Sequence, residues 1–363
     1  MKIRAAKLED YDQIKELVNN YNLNIYEKSY WQDIWKKNPL VLEDKIDWNY
    51  GWVFENDKKI VGHVSNIPTQ YYLNNKKYIG AVISCWVVDL DYRFEALKLF
   101  QKFNSQKNID FLIATTSSYA TSKTLEAFDW KKMPNENYIK KLNFIFNPKS
   151  VLEAYLEKNL KFLKIFTQLI NFFVKIIFYN RFKNWNSLKF ERDIEIQHNF
   201  NNFFDVFWDE LKIKKKKIFL FNRHSKWLNW LLNYQIDKKN CLIIVKKQSN
   251  KIVGYAICIY KYDKRLKIKK SILIDLMLIE ENDQIYQDLI SSSINASKQA
   301  NCDLFQITGF DDKKRDIFLK FKPFMTKTKL MPFYYKTENE ELKSFLSTRE
   351  VWDPSELDGD SII

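Results

Sequence analysis

Apolar residues fall into a series of short periodic runs along the chain. After a short predicted strand at residues 3–5, Tyr11, Ile14, Leu17, Val18 and Tyr21 recur at helical spacing, while Asp10, Gln13 and Lys15 point elsewhere. A hairpin is predicted over residues 52–64, with the turn at Asn56, Asp57 and Lys58. The long apolar run at 79–90 reads as a buried strand. A helix follows at 95–103, with Leu97, Phe100 and Phe103 turned inward. Another strand at 111–114 runs into a Thr/Ser cluster suited to a helix N-cap, and that helix ends at Ala127. Phe128, Asp129 and Trp130 open a last strand pair.

The second half repeats this order. A strand at 241–245, a turn at Gln248, Ser249 and Asn250, and a strand from Lys251 mirror the first hairpin. The tetrapeptide Lys-Ile-Val-Gly begins at Lys59 and again at Lys251, 192 positions later. Segment 83–89 corresponds to 273–280, 110–112 to 303–305, and Phe128 to Phe321. Four matching residues alone are weak evidence. The preserved order of hairpin, buried strand, helix, strand and Phe-containing turn makes the halves two copies of one α/β unit. Hairpins at 52–64 and 242–257, and strands at 79–90 and 271–280 and at 110–115 and 303–308, are expected to occupy matching places.

Between the copies the pattern changes. Residues 158–190 hold seven Lys/Arg and no acid. Lys161, Lys164, Gln168, Asn171 and Lys175 form one polar stripe on a helix otherwise built of Phe, Leu, Ile and Val. Charges interrupt every stretch of about 20 residues, which argues against a membrane span. The segment reads as a linker helix packed between domains, or as a helix resting on an anionic membrane surface over 158–180.

Composition narrows the class. A chain of 363 residues, 46% hydrophobic and 29% charged, suits two ordinary soluble domains, and six Gly and seven Pro leave no room for a flexible linker. The net charge of +14 favours anionic partners, yet the lysines are scattered and no nucleic-acid fold signature is visible, so a basic solvated surface is the simpler reading. Cys85, Cys241, Cys258 and Cys302 form no CxxC pair, so neither a zinc site nor a disulfide framework is expected. The start MKIRAAKLEDYDQ has no apolar signal region, and a cytoplasmic location is expected, with peripheral contact at the membrane's inner face as an option.

One stretch carries a family resemblance. The sequence Trp86-Val87-Val88-Asp89-Leu90-Asp91-Tyr92-Arg93-Phe94-Glu95-Ala96-Leu97-Lys98 resembles the strand and phosphate-binding turn of GNAT-superfamily N-acyltransferases, whose pattern is Val-x-Pro-x-Tyr-Arg-Gly. The tandem arrangement is also similar to that superfamily's two-domain members. The resemblance implies that Val87, Val88, Arg93, Phe94, Glu95, Ala96, Leu97 and Lys98 bind acyl-CoA, with the pyrophosphate on amides at a helix N-terminus. This chain departs from the pattern with Leu90 in place of Pro and with Phe94 and Glu95 in place of small residues. The family's Tyr general acid falls at Leu125, so Tyr119 is the substitute candidate, its bland alternative being an aromatic packed at a helix start. Amine attack on a thioester needs a proton acceptor, and Asp89 and Asp91 end the buried strand where the thioester would lie. His63, Asn66 and Trp86 are the candidate substrate-binding residues. In the second copy the equivalent turn carries Glu280, Glu281 and Asp283, and that acidic turn is expected not to bind pyrophosphate.

Two other segments share the resemblance, the one from Arg223 to Trp230 and the tail with Trp352, Asp353, Asp358 and Asp360. Tail aspartates can hold sugar hydroxyls or an ammonium group, or simply form a disordered acidic end. The expected architecture is α/β: a GNAT-like domain at 1–145 binding acyl-CoA, a basic helical linker at 146–194, a second GNAT-like domain at 195–340 for acceptor binding or structure, and a tail at 341–363. The implied activity moves an acyl group from acyl-CoA, without a metal, to an amine, such as an amino sugar of a surface polysaccharide. The alternatives are a Fem-like transferase using aminoacyl-tRNA and a non-catalytic binding protein.

Overall fold

Residues that favour left-handed backbone set the hairpins. Asp57 and Lys58, Asn74 and Asn75, and Ser249 and Asn250 all have positive φ, the two-residue turn whose twist matches paired strands. In this computed structural model the described residues are 1–362 except 22, 24, 44, 192 and 329–331. Chain order in the first half is β1 (Lys2–Ala5), α1 (Tyr11–Asn20), α2 (Lys28–Lys36), α3 (Pro39–Leu42), β2 (Gly51–Asn56), β3 (Lys59–Leu73), β4 (Lys76–Val88), α4 (Ala96–Asn104), β5 (Phe111–Ala114), α5 (Tyr119–Ala127), β6 (Lys131–Lys132) and β7 (Lys140–Ile145). The connecting helices are α6 (Pro148–Asn159), α7 (Thr167–Ile177) and α8 (Tyr179–Ser187). Then come β8 (Ile194–Gln197), α9 (Asn202–Lys214), β9 (Leu220–Phe221), α10 (Ser225–Leu231), α11 (Asn233–Asp237), β10 (Cys241–Gln248), β11 (Lys251–Asp263), β12 (Ile268–Leu278), α12 (Asp283–Gln299), β13 (Leu304–Ile307), α13 (Asp312–Lys320), β14 (Phe324–Lys327), β15 (Tyr334–Lys336) and α14 (Glu340–Leu346).

The repeat holds in the topology. β2, β3 and β4 are antiparallel neighbours and β5 joins β4 in parallel; β10, β11, β12 and β13 do the same. Even the register matches, with Gly62 opposite Val88 and Gly254 opposite Leu278. The last strands, however, are exchanged. β7 of the first copy lies between β13 and β14, and β15 of the second lies between β5 and β6. A boundary at residue 145 therefore keeps β7 with a sheet to which it does not belong. Each copy lends a strand to the other, so no cut in the chain separates the two sheets.

Three further expectations change. Leu97 is exposed on α4, and Leu99, Phe100 and Phe103 form its inner face. The linker helix expected over 158–180 is broken into a short 3-10 turn (Lys161–Phe166), α7 and α8, with a 72° bend before α8. The bend lets Trp185 enter the second core, where its Nε1 donates to the Phe321 carbonyl at 2.7 Å and its ring meets Phe324. Nor is the tail disordered. Trp352, Leu357 and Asp358 are buried, Leu357 N donates to the Ile274 carbonyl at 3.0 Å, and Trp352 packs on Phe219, Phe333 and Tyr335. The tail thus threads between the sheets and joins one core built from both halves.

Candidate functional site

Parallel pairing of β4 and β5 stops early, and this opens a cleft. The last paired residues are Val82 and Ile113. Beyond them β4 continues to Val88 while β5 turns away through Thr115–Ser118 into α5, which Ser118 caps. Between the diverging chains lies a cleft of about 380 Å³. Ile83, Ser84, Cys85 and Trp86 form one wall, Ala114, Thr116, Ser117 and Ser118 the other, and Asp360 and Ser361 of the tail line it as well.

The β4 wall is irregular. Ser84 pairs with Ser65 and Val87 with His63, leaving Cys85 and Trp86 as a bulge without partners in the β3 ladder, and Cys85 has φ of 46°. Bulges free backbone groups from pairing and re-aim side chains. Trp86 stacks on Phe100 at 5.0 Å, and its Nε1 is buried with no hydrogen-bond partner among the described residues. Ser117 Oγ, across the cleft, is equally buried and unpartnered. Both residues line the cleft, and both of these atoms are sealed from solvent.

Asp360 is the titratable group of this cleft. Its carboxylate accepts from Thr115 Oγ1 at 2.9 Å and from Thr116 Oγ1 at 2.9 and 3.0 Å. Burial raises its pKa above the ordinary carboxylate value, against the lowering effect of these hydroxyls. The tail comes close enough to place it because Gly359 adopts φ of 80°, and a Cβ there would lie 2.1 Å from Thr115 Oγ1. Burial, reinforced by the Asp360 charge, pushes the Cys85 thiol up to about 11, so it stays protonated and is no nucleophile at neutral pH. Sequence reasoning singled out the tail aspartates but gave Asp360 no catalytic role; nothing local in the sequence shows that residue 360 returns to residue 115.

The expected site residues divide. Val87 and Val88 end β4 and are buried, and Trp86 lines the cleft. The turn after β4 is a 3-10 helix (Leu90–Glu95) leading directly into α4. Arg93 lies over the Tyr21 ring at 5.4 Å, Phe94 is exposed, and Lys98 pairs with Glu95 at 2.6 Å, which offsets the acid that the sequence set beside the phosphate position. Ala96 and Leu97 form the first turn of α4. Asp89 accepts from Tyr21 Oη at 3.1 Å, and Asp91 is exposed on the turn; neither lines the cleft.

Tyr119 is exposed at the start of α5 and belongs to a neighbouring hollow, while Leu125 is fully buried. His63 is fully buried, held at a pKa of about 4 by burial, and does not line the cleft. Asn66 is committed to structure: its Nδ2 donates to the Asn49 carbonyl at 2.8 Å and to Gln106 at 2.7 Å, and its carbonyl accepts from Trp35 and Trp48.

The neighbouring hollow, about 350 Å³, shares Ser117 with the cleft. Tyr119, Tyr138, Phe333 and Tyr334 give it aromatic walls. Glu126 in it accepts from Tyr334 Oη at 2.7 Å and pairs with Lys132 at 2.9 Å, interactions that hold its pKa near 2.

In the second copy a hollow of about 310 Å³ lies beside the matching turn, lined by Met277, Glu281, Asp311, Lys313 and Asp353. Lys314 Nζ donates to the Leu276 carbonyl at 2.8 Å and pairs with Asp353, both buried. The acidic turn there is not bare, as the sequence implied, because lysines from distant elements meet it: Lys214 on Glu280, Lys215 and Lys313 on Glu281, and Lys320 on Asp283.

No family model matches the sequence. No curated protein sequence matches it either. Solved structures do. A conserved protein of unknown function and probable N-acyltransferase from Enterococcus faecalis V583 superposes with a TM-score of 0.57 at 11% identity, covering 93% of this chain and 72% of that one. The N-myristoyltransferase of Saccharomyces cerevisiae with bound myristoyl-CoA gives 0.56 at 13% identity, over 92% of this chain and 82% of that one. A GCN5-related N-acetyltransferase from Anabaena variabilis ATCC 29413 gives 0.54 at 12%, over 93% and 73%. At such identities the likeness speaks for the fold, and the chain has the tandem GNAT fold, with two mixed sheets in an α/β arrangement.

Proposed function

We propose that this protein is an acyl-CoA-dependent N-acyltransferase whose reaction takes place in the β4–β5 cleft of the first copy. The observation that carries the reading is a half-buried carboxylate, Asp360, held by Thr115 and Thr116 beside a cleft opened by the bulge at Cys85 and Trp86. The unpaired backbone of Cys85 and Trp86 stabilises negative charge on the thioester oxygen. Asp360 takes the proton that the amine gives up as its nitrogen bonds to the carbonyl carbon. The carbon–sulfur bond then breaks, and the departing thiolate takes up the proton that Asp360 received from the amine. Burial suits Asp360 to this role, since a raised pKa brings a carboxylate closer to the working pH.

The pyrophosphate of the donor lies against the turn at Arg93. The acceptor enters through the hollow at Ser117, where aromatic walls suit a sugar ring. An amino sugar is accordingly the first acceptor to try. Relatives in fold carry donors as large as myristoyl-CoA, so the donor panel runs from acetyl-CoA to myristoyl-CoA.

The test is to measure acyl-CoA binding to the full chain and thiol release on adding amines, with wild type and Asp360→Asn. Saturable binding is expected, with the variant slower by about a hundredfold or more and donor affinity nearly unchanged. An unchanged rate in the variant removes Asp360 from the chemistry. Absence of acyl-CoA binding together with saturable aminoacyl-tRNA binding would favour the tRNA-dependent alternative.

A further inference from the structure

The segment between the copies carries the largest group of exposed apolar side chains in the chain. Phe162, Ile165, Leu169, Phe172, Phe173 and Ile176 are each more than half exposed, Ile165 reaching 84%. Single exposed apolar residues are ordinary, whereas a contiguous group marks an interaction surface. Positions 169, 172, 173 and 176 form one helical stripe on α7, and the 3-10 turn before it adds 162 and 165. The opposite side of α7 begins at buried Thr167 and packs on α6, so the stripe points away from the rest of the molecule.

Charge selects the occupant. Residues 158–190 carry seven Lys/Arg and no acid, and Lys175 and Lys183 are exposed beside the stripe. A second copy docked here through a two-fold axis would set the same cations face to face. An anionic lipid surface satisfies both the apolar stripe and the cations flanking it. No single helix among the described residues is long and apolar enough to cross a bilayer, and the chain bends by 72° before α8. We propose that α7 and the turn before it lie in the headgroup region of an anionic bilayer, apolar stripe inward, with the lysines at the phosphate level.

The experiment is co-sedimentation of the full chain with vesicles of phosphatidylcholine alone and of phosphatidylcholine with roughly one-third phosphatidylglycerol. Binding is expected to the anionic vesicles, with Phe172→Ser/Ile176→Ser weakening it about tenfold or more and Lys175→Glu weakening it several-fold. These side chains are exposed, so unchanged melting temperatures verify the fold. Should the first pair melt early, Leu169→Asn/Phe173→Asn repeats the measurement on the same stripe. No binding to the anionic vesicles overturns the proposal. So does binding that survives the apolar substitutions, which would trace it to the net charge of +14 alone. A dimer seen by light scattering and dissociated by the same variants would assign the stripe to a second copy.

Discussion

His63 lies beside the bulge of β4 with no exposed surface, its Nε2 3.5 Å from Ser65 Oγ. Burial keeps the ring neutral and lowers its pKa from 6.5 to about 4. A depressed pKa means that the stabilising contribution is present above pH 6.5 and is lost as pH falls toward 4. The loss between pH 7 and pH 4.5 amounts to about 2–3 kcal/mol for this group, at 1.36 kcal/mol per pKa unit. Asp358 works in the opposite direction, since burial raises it to about 6 and its protonation relieves the fold as pH falls. His63 must therefore be isolated by substitution. Denaturant unfolding of His63→Gln should show an acid limb shallower than wild type by that amount. An identical pH dependence in the two proteins would mean that folding does not shift the pKa of His63.

At the scale of elements, two equivalent turns have opposite fates. The turn after β4 presents Arg93 and leads into α4, whereas the turn after β12 is bound to four lysines from other elements, with the buried Lys314–Asp353 pair close by. Under the proposed function the first takes the donor's phosphate, which gains from helix N–H groups and a nearby cation. Arg93→Glu reverses the local field and should lower acyl-CoA affinity about tenfold or more, because hydrogen bonds to charged groups contribute roughly 1.5–3 kcal/mol. Glu281→Ala should leave that affinity unchanged. Calorimetric titration of both variants checks the assignment, and the reverse pattern would exchange the roles of the two copies.

For the whole molecule, the exchanged strands make the halves interdependent. A fragment of residues 1–145 would leave β7 without β13 and β14, and would expose the edge of β5 that β15 covers. A fragment of residues 195–340 would lack β7 between β13 and β14. Unpaired edges and a core opened along the tail should prevent either from folding alone. Buried Arg223 adds to the linkage: it sits next to Asn222, which donates to Gln70 at 2.6 Å in the first sheet, and it pairs bidentately with Asp275 in the second, at 2.9 and 3.0 Å. Each fragment should give near-ultraviolet circular dichroism without fixed aromatic signals, while the full chain unfolds in one transition. A fragment of 1–145 that melts cooperatively would refute this dependence.

Much of this protein was determined by local patterns. Strand periodicity, two-residue turns and capping residues depend on neighbours within a few positions, so the repeat, its hairpins and the strand–turn–helix bearing Arg93 were legible directly. Tertiary structure decided what depends on long-range closure. It sent β7 and β15 to opposite sheets, buried Lys314 beside the second copy's turn, committed Asn66 and His63 to the interior, and left the stripe on α7 uncovered. It also brought Asp360 back to Thr115 and Thr116 at the open end of β5. Contacts across some 245 positions leave no mark on local periodicity, because which surfaces meet is settled only when the whole apolar core is buried at once.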